Sequence, residues 1–200
     1  MTPDIAMNAE ENDGVRVSTM AILVASAFVI GASETLVWFS MRAVMALGGT
    51  VAVGGLYAIT SAAPGWIMVM PAAIIALVVG MMTSSGLSGS RDTPSLMLMA
   101  WSALFLSLGW NFLEFGVHAP GGGVSISWLL CAVLFAAMGG GGLYALVDMR
   151  RGTRELDQQR AAKTGTPATH AGWHAYQIAN AVAVIAGVAA GWGLFALLGR

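Results

Sequence analysis

Long apolar stretches dominate this chain, so its few polar residues stand out, and three sets of them have spacings that could carry chemistry. Asn111, Glu114 and His118 recur at i, i+3 and i+7, which places an amide, a carboxylate and an imidazole on one helical face. Glu four residues before His is the favourable order for a helix-surface pair. Such a group would suit the mouth of a solute or proton path. His170, His174 and Gln177 share the i, i+4, i+7 pattern. Two imidazoles at that spacing can share a metal ion, but no third ligand accompanies them, so no metal is assigned. Glu34 stands in an apolar run two helical turns before Arg42, which could curl back and neutralise it.

No nucleophile–base pair or metal cluster assembles from the remaining residues, so the chain does not read as an enzyme and no cofactor is implied. Cys131 is the single cysteine; it can form neither an internal disulfide nor a thiolate cluster, and reads as a small apolar packing residue. The string Gly86-Leu87-Ser88-Gly89 is similar to the G-x-S-G of rhomboid proteases. Here the serine falls in a polar loop ahead of Arg91 and Asp92, and the other helix motifs of that family are missing. A haem held by two His would need imidazoles at one depth, whereas His118 and the His170/His174 pair fall at opposite ends of their segments.

The elements that must position these residues are set by composition. The chain is 57% hydrophobic and 10% charged, against roughly 25% charged in an ordinary soluble domain. Charge this sparse cannot coat a water-facing globule. A formal net charge of −1 lacks the basic face that nucleic acid requires. From Val124 to Val147 there is no Asp, Glu, Lys, Arg or His, and about 20 apolar residues suffice to cross a bilayer as a helix. The fold class is therefore all-α, a polytopic transmembrane helix bundle.

The spacing predicts six spans at residues 17–39, 43–62, 66–82, 95–117, 124–147 and 173–198, with five as the competitor. The weak point is the turn between the first two, because Ser40–Arg42 contains neither Gly nor Pro. Arg150, Arg151, Arg154, Arg160 and Lys163 crowd the loop at 148–172, which the positive-inside rule places in the cytoplasm. Threading six spans from there puts Arg42 and Arg91 inside. The acidic tail at 1–16, the turn at Ala119–Gly123 and both termini fall outside. Trp66, Trp110, Trp128 and Trp192 then mark the outer interface, and Trp38, Trp173, Tyr144 and Tyr176 the inner one, with Trp101 off both belts. Five spans would put the acidic tail inside and leave Arg42 in hydrocarbon or outside.

The last span carries Ala175, Ala179, Ala183, Gly187 and Gly191, a small residue at every fourth position. That ladder allows close backbone approach, either within the chain's own bundle or against a partner subunit or second copy. Together these features predict a multi-pass protein of the cytoplasmic membrane, a non-catalytic subunit or accessory component of a membrane complex. The alternative is a small-solute or ion channel with polar mouths at Glu34 and at Asn111, Glu114 and His118.

Overall fold

The computed structural model describes residues 3–46, 50–52, 55–58, 69–87, 96–119, 122–164 and 173–198. They form α1 (Pro3–Ala46), a hairpin of β1 (Thr50–Ala52) and β2 (Gly55–Ala58), α2 (Val69–Leu87), α3 (Leu96–Val117), α4 (Ile126–Thr164) and α5 (Trp173–Leu198). All five helices contain a segment long and apolar enough to cross a membrane.

The six-span arrangement is corrected at its weakest point. Residues 17–39 and the start of 43–62 belong to one continuous helix, α1. Nothing at Ser40–Arg42 breaks it, because that stretch has a full set of backbone donors and no residue that favours a turn. The rest of the second predicted span does not become a helix among the described residues. Thr50 pairs with Ala58 and Ala52 with Gly55 in an antiparallel hairpin. Glycine-rich sequence with β-branched Thr50 and Val51 has poor helix propensity, which suits these residues to a hairpin rather than a second span. The acidic segment that begins the chain is continuous with α1, which starts at Pro3.

The contacts give each helix a direction. Ala27 packs with Ala183, and Phe39 stacks on Phe195 at 4.8 Å, so α1 and α5 run parallel. Ile30 meets Leu77 while Val37 meets Ala73, so α2 runs antiparallel to α1. Leu23 and Ala27 pack with Leu96, and Trp38 reaches Ser107, so α3 is parallel to α1. Helix α4 runs back along α3, with Phe112 against Phe135 and Gly142 against Ser102. The chain therefore reverses at every connection. The ends of α1, α3 and α5 lie on one side of the bundle, and their starts on the other.

Helix α1 sits at the centre, touching α2, α3 and α5, while α4 packs chiefly on α3. The α1/α5 seam is as tight as backbones allow. A Cβ added to Gly31 would fall 2.5 Å from the Val184 carbonyl oxygen, and one added to Gly191 would fall 2.5 Å from that of Ala32. A Cβ added to Gly187 would run into the Phe28 carbonyl oxygen. Small residues substitute close approach for the hydrophobic drive that lipid does not supply.

Helix α4 continues well past the apolar segment, to Thr164. Residues 148–164 are rich in Arg, Glu, Gln, Ala and Lys, all good helix formers, and Lys163 in the last turn complements the helix dipole. At 39 residues the helix is about 58 Å long, so nearly half of it projects beyond a membrane-thick layer.

Candidate polar cluster at the shared ends of α1 and α3

One polar cluster links the two central helices near the end where α1 and α3 both finish. Arg42 donates from Nη1 to Oε2 of Glu114 at 2.6 Å and from Nη2 to Oε1 at 2.5 Å. This is the fork-to-fork geometry that suits a planar guanidinium and a carboxylate. Nη1 of Arg42 also reaches Oδ1 of Asn111 at 3.3 Å. Asn111 is fully buried and passes the connection on, its Nδ2 donating to the Trp38 carbonyl at 3.3 Å. Trp38 in turn donates Nε1–H to the Ser107 carbonyl at 3.2 Å.

Aromatic rings complete the surroundings. The guanidinium carbon lies 5.4 Å from the Trp38 ring centroid and 5.3 Å from that of Phe115, both within cation–π range. The Arg42 and Glu114 side chains stay about one-third accessible, 32% and 37%, so the pair lies near the bundle's end rather than in its core.

This geometry revises where the predicted residues sit relative to one another. The six-span arrangement placed Arg42 and Glu114 at opposite membrane faces. With α1 and α3 parallel they share one level. Both Glu114 oxygens are engaged by Arg42, the Trp110 side chain adds a further hydrogen bond, and His118 acts on the carboxylate only through space. That residue is exposed one turn further on, where its backbone amide donates to the Glu114 carbonyl at 2.9 Å. Arg42 is likewise not available to Glu34. The Trp belts shift in the same way. Trp38 joins Trp110, Trp128 and Trp192 towards one end, and Trp101 lies against Gly142 close to the level of Tyr144 towards the other.

Glu34 lies one turn before Trp38 on the same face of α1, near the middle of the apolar segment Thr19–Ala46 rather than close to its end. Its Oε1 is buried and has no hydrogen-bond partner among the described residues. Asn180 on α5 is a second such group: only 6% exposed, with neither Oδ1 nor Nδ2 partnered among the described residues. In the sequence it stands with Ser102 and Ser107 as one of the few polar residues deep in the apolar segments, with no spacing signal to give it a role.

Of the second predicted group, His170 lies outside the described residues. His174 falls in the first turn of α5, and Gln177 is half-buried one turn further on. Among the described residues no cluster of three His, Cys, Asp or Glu could hold a metal ion. In the small-residue ladder, Ala183, Gly187 and Gly191 face α1, and Ala179 is half-buried. Ala175 is placed on α5, one turn before Ala179.

Comparison with protein-family models, with curated proteins and with solved structures finds no match. Function must be argued from the geometry alone.

Proposed function

We propose that this chain is a multi-pass integral protein of the cytoplasmic membrane and a non-catalytic subunit of a membrane complex. The observation that carries this reading is the closure of the Arg42–Glu114–Asn111 cluster upon itself. Asn111 and Glu114, which would line the mouth of a path, are both bonded to Arg42 and hold α1 against α3. They act as a clamp. Tight glycine seams leave the same impression of a body built for helix contact rather than for enclosing a cavity.

The orientation follows from charge. The α4 extension, with Arg150, Arg151, Arg154 and Lys163, faces the cytoplasm under the positive-inside rule. The start of α1 lies on that same side. Arg42 and Glu114 lie towards the outer face, where their mutual neutralisation removes the objection to an outward arginine. The test is extraction of the tagged full-length chain from its native membrane in mild detergent. Stoichiometric partner polypeptides are expected, and recovery as a solitary, monodisperse species contradicts the reading.

One observation favours a second reading, a small-solute or ion pathway: the unpartnered carboxyl of Glu34 near mid-span. Under it, Glu34→Gln alters flux through proteoliposomes. Flux that is absent, or unchanged in the variant, removes this reading.

A further inference from the structure

Within the five apolar segments, counting α4 only to Val147, Glu34, Arg42 and Glu114 are the only Asp, Glu, Lys or Arg residues. Arg42 and Glu114 neutralise each other. Among the described residues that leaves one carboxyl, Glu34, without a counter-charge; it is half-buried close to the middle of its segment, with Oε1 buried and unpartnered.

Among the described residues the elements packed on α1 offer it no counter-charge: α4, which meets α1 at Met45 through Trp128 and Ala132, has only Cys131 and Tyr144 as titratable groups in its apolar segment. Helix α2 has no titratable residue between Val69 and Leu87. Helix α3 has only Glu114, already engaged, and α5 has only His174 and Tyr176, both in its first turn. Neighbouring hydroxyls are turned to their own helices: Thr35 donates to the Gly31 carbonyl at 2.8 Å, Ser107 to Leu104 at 2.9 Å and Ser102 to Leu98 at 2.8 Å. A bare carboxylate in this position would face hydrocarbon and packed apolar side chains with neither cation nor donor among the described residues, a strongly unfavourable state.

No side chain among the described residues supplies neutrality to it. A proton is the one neutralising ligand that needs no space beside a buried oxygen. We infer that Glu34 is a proton-binding site in the middle of the membrane, occupied at neutral pH. The neutral carboxyl gains an O–H donor and keeps acceptor capacity, so it can bond to a backbone carbonyl as Thr35 does. The inference stands apart from the subunit reading: co-purification of partners can fail while Glu34 still binds its proton.

The test uses the full chain in lipid nanodiscs and the hydrophobic reagent dicyclohexylcarbodiimide. This reagent adds the O–H of a protonated carboxyl across one C=N bond, and the O-acylisourea formed rearranges to a stable N-acylurea detectable by mass spectrometry. A single adduct on Glu34 at neutral pH is expected, with a rate that falls as pH rises. Glu34→Gln, which keeps shape and neutrality, should retain the thermal transition and lose the adduct completely, whereas Glu114→Gln should keep it. A folded protein with no adduct on Glu34, or with a rate independent of pH, overturns the inference. Protection by Na+ at fixed pH would assign the site to a metal cation and overturn it. So would labelling of the purified chain but not of native membranes, which would assign the counter-charge to a partner's cationic side chain.

Discussion

Arg42 and Glu114, 72 residues apart in sequence, meet through both guanidinium nitrogens and both carboxylate oxygens. Because each is the only charged residue near its end of an otherwise apolar segment, the pair fixes the register of two parallel helices. A slip of one helical turn, about 5.4 Å, would leave two isolated charges against apolar surroundings.

This pairing predicts strong coupling between the two positions. Arg42→Gln and Glu114→Gln should each lower the unfolding temperature in mild detergent, and the double variant should be little worse than either single one. The exchange Arg42→Glu with Glu114→Arg should recover part of the loss. Additive single effects, measured by thermal unfolding, would show that the two side chains do not act as a pair.

Asn111 sits between the ion pair and the Trp38 carbonyl with no exposure to solvent. Replacing it with Ala removes two hydrogen bonds and should destabilise the protein by about 1–2 kcal/mol, allowing for the modest worth of such bonds inside membranes. Chemical denaturation in mixed micelles gives the value.

The glycines of α5 should divide sharply by the face they occupy. Gly191→Leu forces atoms into the Ala32 carbonyl and should destabilise by about 1–3 kcal/mol or separate α5 from α1. Gly193 has nothing within 4 Å of an added Cβ. Gly193→Ala should therefore be neutral, or stabilising by up to about 1 kcal/mol through helix propensity. Paired unfolding measurements on the two variants check the contrast.

Asn180 offers the reverse experiment. Its buried amide has no partner among the described residues, so Asn180→Ala should be neutral or stabilising by about 1 kcal/mol. A loss of that size or more, by the same unfolding assay, would reveal a hydrogen bond made to lipid, water or another chain.

Much of the architecture was legible in the sequence because apolar length is a local signal. The last helix, Trp173–Leu198, has the bounds read from composition, and Leu96–Val117 differs by a single residue. The first helix was misdivided for a physical reason. Its length argued for a break and Arg42 seemed too costly to leave within a span, but the residue that neutralises Arg42 lies on another helix. No local pattern carries that information. Glu114 shows the same limit: spacing pointed to His118 four residues away, while tertiary packing supplied a bidentate arginine. Glu34 was legible as an intramembrane carboxyl, but its depth depended on where α1 ends. The polar stretch after Val147 read as a connecting loop that opens with a surface helix; its good helix formers make that helix a direct continuation of α4.

The central claim is that the chain crosses the membrane five times, with α1 and α3 parallel. It is tested most directly by site-specific thiol labelling in sealed right-side-out vesicles, starting from Cys131→Ser and using a membrane-impermeant maleimide. Single variants Asn8→Cys, Gln159→Cys, Val124→Cys and Leu198→Cys sample the start of α1, the α4 extension, the turn after α3 and the end of α5. The account predicts that Val124→Cys and Leu198→Cys react in intact vesicles, while Asn8→Cys and Gln159→Cys react only after permeabilisation. Reaction of Asn8→Cys and Leu198→Cys from the same side would require an even number of crossings and contradict it.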